Sequence, residues 1–127
     1  MNIKSTFQKI IIFDIILGLT VIVSAFFQSE KIININTSSF PVSVKVVTFY
    51  LFLMLIWLVN GFLLYNFKKI AKKIFLILFI VSIVFSLIYG GGAYSSTSYV
   101  LNSLAWTLNG VILVFLYFTP IKKEFEK

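Results

Sequence analysis

The stretch YLFLMLIWLVNGFLL, from Tyr50 to Leu64, decides the fold class of this chain. It carries no charge and lies within an apolar run over residues 46–67. As a helix with a rise of about 1.5 Å per residue, that run would measure roughly 33 Å. A helix of this length is sufficient to cross the hydrocarbon layer of a membrane.

The composition of the whole chain supports the same class. Of the 127 residues, 60% are hydrophobic and 12% are charged, which leaves too little polar surface for a water-soluble domain. The sequence predicts an all-α integral membrane protein with a single domain over residues 1–127. Its four transmembrane helices are expected at about residues 10–27, 46–67, 74–89 and 99–118.

Two segments leave alternatives open. A cleaved signal peptide is the alternative for residues 10–27, but this run holds Asp14 and ends in Phe26 and Phe27, which favours a retained helix. The polar interval 28–45 contains the alternating Ile-Asn pattern of residues 32–36. It predicts a partly buried loop, with a short strand or an extended segment on the membrane surface as the alternatives.

The lysines predict the orientation. Nine lie in the segments before residue 10, between the second and third predicted helices, and after residue 118: Lys4, Lys9, Lys68, Lys69, Lys72, Lys73, Lys122, Lys123 and Lys127. The other side has Lys31 and Lys45. By the positive-inside rule both termini are cytoplasmic, in a bacterial inner membrane. The net charge of +7 then favours contact with anionic lipid headgroups over nucleic acid, because the chain has no arginine.

An internal repeat links the second and fourth predicted helices. The residues shared by 50–64 and 99–113 are Tyr50, Leu55, Trp57, Asn60, Gly61 and Leu64, and Tyr99, Leu104, Trp106, Asn109, Gly110 and Leu113. With the lysine topology, the repeat predicts two hairpins related by an axis along the membrane normal.

The shared residues predict a helix-packing face. Trp57, Asn60, Gly61 and Leu64 follow i, i+3, i+4, i+7 spacing and therefore share one side of a helix. Small residues let helices approach closely in membranes, so Trp57 and Gly61, and their counterparts Trp106 and Gly110, are predicted packing residues. A polar lining of a small permeation or binding site is the alternative.

Asp14 is the candidate functional residue, since it is an ionisable group inside an apolar span. Counted from the predicted cytoplasmic edge, Asp14, Asn60, Ser82 and Asn109 fall into one candidate polar layer. Asp14 either pairs with Lys72 or Lys73, or reaches the interface through water, or forms a proton or cation site.

The absence of cysteine and histidine argues against metal sites, cofactors and enzymatic catalysis. The sequence predicts a small polytopic protein that acts as a non-catalytic helix-packing component of a membrane complex, as an accessory subunit or a homo-oligomer. Its expected partners are the lipid bilayer and itself or another membrane protein. The alternative is a small proton- or cation-coupled transporter or channel that uses Asp14.

Overall fold

A computed structural model describes residues 2–39, 44–89 and 93–126. Over these ranges the chain is helical and contains no strand. The elements are α1 (Ile3–Phe26), α2 (Glu30–Ser39), α3 (Val44–Tyr65), α4 (Lys69–Tyr89), α5 (Ser96–Phe118) and a 3₁₀ helix (Pro120–Phe125). Helices α1, α3, α4 and α5 are each long and apolar enough to span a membrane. This confirms the predicted all-helical fold with four helices that are able to span a membrane.

The spanning helices extend beyond the apolar runs at some of their ends. α1 begins at Ile3 rather than near residue 10, because the Asn2 side chain accepts a hydrogen bond from the Lys4 backbone N–H and caps the helix. Ser95 caps α5 in the same way by accepting from Ser98. Polar residues therefore belong to the helix ends, which hydropathy alone does not reveal.

The interval between α1 and α3 differs from the prediction. Residues 30–39 form α2 instead of a loop or a strand. The backbone N–H groups of Ile32 and Ile33 both donate to the Ser29 carbonyl, and Glu30 lies in the first turn, where the helix dipole favours an acid. A helical start signal therefore outweighs the strand preference of the isoleucines.

Asn36 of α2 forms hydrogen bonds with the segment that connects α4 to α5. Its side-chain amide donates to the Ala93 carbonyl at 3.0 Å and accepts from the Ala93 N–H at 2.7 Å. This pair of hydrogen bonds joins α2 to the segment that precedes α5.

The other end of the bundle is filled with apolar side chains, and we call it the closed end. Its buried cluster consists of Phe7, Ile11, Leu64, Ala71, Phe75, Ile112, Leu116, Ile121 and Phe125. The 3₁₀ helix folds back so that Ile121 and Phe125 lie in this cluster, and Lys4 Nζ is 3.2 Å from Glu124 Oε2. The sequence predicted that the last spanning helix ends at about residue 118, but it did not predict this return.

A strained turn connects α3 to α4 at the closed end. Phe67 has a φ of 53°, in the left-handed region that usually requires glycine. The Phe67 N–H donates to the Leu64 carbonyl and the Lys68 N–H to the Leu63 carbonyl, a Schellman arrangement. The Phe67 ring packs on Phe7 and Phe125 with centroid distances of 5.8 Å and 5.3 Å, which explains a bulky residue at this position.

Helix packing leaves one side of the bundle loose. α1 packs on α5 and α3, and α3 packs on α4, whereas α4 and α5 make little contact with each other. The space between α4 and α5 is where the candidate site lies.

Candidate functional site

A cavity of approximately 460 Å³ lies between α1, α3, α4 and α5. Its wall includes residues of all four spanning helices and Tyr94, which precedes α5. Ligand sites for small molecules have volumes of about 300–1,000 Å³, so the cavity is of ligand-binding size.

Asp14 reaches the cavity from the inner face of α1. The buried residues of this helix are Phe7, Ile11, Asp14 and Leu17, which follow a helical period and form one stripe. Asp14 therefore occupies a position whose neighbours are apolar, and only 5% of it is exposed. A carboxylate held there needs a polar partner.

Trp57 of α3 supplies that partner. Its indole, which can only donate, forms a side-chain hydrogen bond with Asp14. A Cβ atom at Gly18, one turn after Asp14, would overlap the Trp57 six-membered ring. The missing side chain of Gly18 therefore gives the indole room to lie against α1 beside the acid.

Aromatic rings form much of the remaining wall. They are Tyr50, Trp57, Phe75, Phe79, Phe85, Tyr94, Tyr99 and Trp106. Phe79 and Trp106 pack edge to face with centroids 5.9 Å apart, and Tyr50 and Phe85 are 5.7 Å apart. Both tryptophans of the chain thus line the cavity.

Hydroxyl and amide groups from α4 and α5 add a polar strip. It consists of Ser82, Ser86, Asn102, Ser103 and Asn109. The side-chain NH₂ of Asn102 donates to the Ser98 carbonyl at 2.8 Å, and that of Asn109 to the Ala105 carbonyl at 3.0 Å. Each of these bonds uses one of the two N–H groups of the amide, so the amide oxygen remains as an acceptor and the second N–H as a donor.

The described wall carries one carboxyl group and no lysine. Asp14 lines the cavity, and none of the lysines that the structure describes does. The predicted pairing of Asp14 with Lys72 or Lys73 does not occur within the described residues, where the ion pair formed is Lys4 with Glu124. Lys72 Nζ lies instead 4.4 Å from the centroid of the Tyr117 ring.

The candidate polar layer is partly assembled at this site. Asp14, Ser82 and Asn109 line the cavity. Asn60 is 1% exposed and lies outside the cavity wall, and neither of its amide atoms has a hydrogen-bond partner in the described part of the chain.

The predicted packing residues behave differently in the two repeats. A Cβ at Gly61 would lie 3.0 Å from Ile15 Cδ1, so α1 and α3 approach closely there. A Cβ at Gly110 would meet no described atom within 4 Å, which corrects the expectation that Gly110 packs against another helix of this chain. Trp57 packs on Gly18, whereas Trp106 lines the cavity and is 39% exposed. The repeat therefore does not create two equivalent packing faces.

Sequence reasoning missed Gly18, Asn102 and the three cavity tyrosines as site residues. Gly18 follows Asp14 by one helical turn, and this spacing was the available signal. The sequence has no comparable signal that α5 faces α1, because the polar residues of α5 do not identify the helix that they face.

In the described ranges no group of three or more acidic side chains is placed to hold a metal ion. Comparison with protein-family models, curated proteins and solved structures yields no match to this chain. The cavity geometry therefore carries the functional argument.

Proposed function

We propose that this protein binds a small molecule inside the membrane, in the cavity between its four spanning helices, with Asp14 as the anchoring group. The proposal belongs to the transporter or channel class rather than to enzymes. A lone carboxylate offers no second group for acid-base or nucleophilic chemistry.

The observation that carries the proposal is the setting of Asp14. A carboxyl group in a spanning segment is expensive, and such groups usually face a solvated cavity or a partner. Asp14 lines a cavity, its hydrogen-bond partner is the neutral Trp57 indole, and no described lysine is paired with it. The lysine pair that the sequence offered as a structural role for Asp14 is therefore missing among the described residues.

Cysteine accessibility tests the proposal, because the chain contains no cysteine of its own. Ser82→Cys and Ser103→Cys place a thiol on the cavity wall, and Ile77→Cys places one on a lipid-exposed surface of α4. A water-soluble maleimide should label the first two variants and not the third. A fourth variant, Leu116→Cys, probes the closed end and should stay unlabelled.

Labelling of Ser82→Cys and Ser103→Cys at the rate of Ile77→Cys would contradict the proposal. The cavity would then be filled by lipid or side chains in the folded protein.

The orientation remains part of the proposal. We infer that the closed end is cytoplasmic and the cavity half is nearer the outside of a bacterial inner membrane, because the lysines concentrate at the closed end. The two hairpins of the internal repeat would then be related by an axis along the membrane normal.

Alkaline phosphatase fused after Lys127 should be inactive in cells, and a fusion after Ala93 should be active. The reverse pattern would overturn the orientation.

A second candidate function is the helix-packing component, as an accessory subunit or a homo-oligomer. The observation in its favour is Gly110, where α5 offers a position for close approach that no described residue of this chain uses. In this proposal the partner is a second copy or another membrane protein, in addition to the bilayer.

Mass determination of the protein purified in mild detergent tests this second candidate. A stable complex that Gly110→Leu dissociates would support it, whereas a monomer unaffected by that change would contradict it.

A further inference from the structure

We infer that the ligand of the cavity is an organic monocation with an aromatic or apolar body. The inference rests on the proposed binding function and adds the chemical class of the ligand.

The sign of the charge follows from the wall. It holds one carboxyl side chain, that of Asp14, and none of the described lysines. The amide oxygens of Asn102 and Asn109, each of which has one N–H bonded to a backbone carbonyl, add acceptors. An anion would find no cationic partner on this wall, while a cation would meet an acid in surroundings of low dielectric constant, where attraction is strong.

The aromatic wall favours an organic cation over a metal ion. Cations bind to the faces of tryptophan and tyrosine, and recognition of quaternary ammonium groups by aromatic cages uses this attraction. Trp57, Trp106, Tyr50, Tyr94 and Tyr99 all line the cavity. Calcium, by contrast, takes about six to eight oxygen ligands at short distances. The wall has a single carboxylate, and in the described residues no group of three or more acidic side chains is placed to hold such an ion.

The size of the cavity also favours an organic cation over an inorganic one. A bare inorganic cation would leave most of 460 Å³ empty or filled with water. An ammonium group attached to a ring or an alkyl chain can place its charge near Asp14 and its body against Phe75, Phe79 and Phe85. Burial of that body adds a hydrophobic contribution in proportion to its apolar area.

The tryptophans make the inference directly testable. The chain contains two, and both line the cavity, so ¹⁵N-indole NMR of the full-length protein in detergent reports on the site alone. The probes are benzyltrimethylammonium and neopentylbenzene, which have the same shape but differ in charge. Trp106→Phe assigns the two indole signals.

We expect benzyltrimethylammonium to shift both indole signals in a saturable manner. Neopentylbenzene should bind at least about tenfold more weakly, although it is the more apolar of the two, because it gains no attraction from Asp14 or from the ring faces. Asp14→Asn should weaken binding of the cation by at least about tenfold and leave neopentylbenzene unchanged. Glu126→Gln, which removes an exposed carboxylate away from the cavity, is the matched control and should bind like the parent protein.

Equal binding of the two probes, or cation binding that Asp14→Asn does not change, would overturn the inference and leave the proposed binding function intact. Absence of cation binding in a protein whose Ser82→Cys variant is labelled would also overturn it. Failure of that labelling would instead remove the proposed function. If Asp14→Asn does not fold, the comparison of the two probes on the parent protein still decides.

Discussion

The closed end and the cavity are both rich in aromatic side chains and differ in whether those side chains fill the space between the helices. At the closed end, Phe7 lies 5.8 Å from Phe67, 6.0 Å from Phe115 and 5.8 Å from Phe125 between ring centroids. In the cavity the rings surround a space of approximately 460 Å³. Aromatic composition therefore does not distinguish a packed core from a site.

The difference comes from one additional element. The 3₁₀ helix inserts Ile121 and Phe125 among the spanning helices at the closed end. In the other half α2 is joined to Ala93 through Asn36, and none of its described side chains is buried. A bundle with two loosely packed helices is thus filled where a connecting segment folds inward and stays open where it does not.

The largest effect is expected for Phe7→Ala at the closed end. Phe7 is fully buried and contacts three other phenylalanine rings, so its truncation should lower the free energy of unfolding by about 3–5 kcal/mol. Denaturation by SDS in mixed micelles, followed by circular dichroism, measures this. Phe13→Ala is the matched control on the same helix, because Phe13 is 56% exposed and should matter little. Equal losses would show that the closed end is not a packed core.

A smaller loss of stability is expected for a substitution at Gly18, where the cavity wall is closely packed. Gly18→Leu should lower the free energy of unfolding by about 1–3 kcal/mol, because the new side chain overlaps Trp57. It should also shift the Trp57 fluorescence by separating the indole from Asp14. Gly110→Leu, with no described atom within 4 Å, should do neither in the monomer. A tolerated Gly18→Leu would mean that the wall is as adaptable as a lipid-facing surface.

A pair of substitutions at Phe67 measures the backbone strain of the turn at the closed end. Phe67→Ala and Phe67→Gly both remove the ring, but glycine adopts a φ of 53° without the steric penalty. We expect the glycine variant to be more stable than the alanine variant by about 1 kcal/mol, measured in the same SDS titration. Equal stability would place the turn outside the left-handed region.

The smallest effect is expected on the polar strip. Ser82→Ala should change the free energy of unfolding by less than about 0.5 kcal/mol, because its hydroxyl faces the cavity rather than a packed core. Ser98→Ala is the comparison, since Ser98 is buried and its hydroxyl contacts both Ser24 and Ser95. Its loss should be about 1 kcal/mol, the value of a typical hydrogen bond. A larger loss at Ser82 than at Ser98 would assign the strip to the structural core.

The number and placement of the spanning helices were predictable from the apolar runs. Their ends were less so, because Asn2 and Ser95 cap helices through side-chain geometry that hydropathy does not measure. α2 was missed for a different reason. Alternating isoleucine and asparagine has strand character locally, and the hydrogen bonds of Asn36 to Ala93 form only in the folded protein.

The polar residues of the candidate site were predictable where they stand out within an apolar span. Asp14, Ser82 and Asn109 were selected in this way, and all three line the cavity. The sequence does not specify which helix faces which, because apolar residues dominate every spanning helix. The contact of Trp57 with Gly18 and the open position at Gly110 depend on that arrangement.

The return of the 3₁₀ helix to α1 also sets the order in which the molecule can be completed. Lys4 and Glu124 are 120 positions apart, and Phe125 follows Glu124 directly. During synthesis, α1, α3 and α4 exist before the residues that fill the space around Phe7 have been translated. Until then, Phe7 lacks the contact with Phe125 that helps to bury it in the folded protein. A chain that ends before the 3₁₀ helix would therefore lack part of the apolar cluster around Phe7, near its N-terminus.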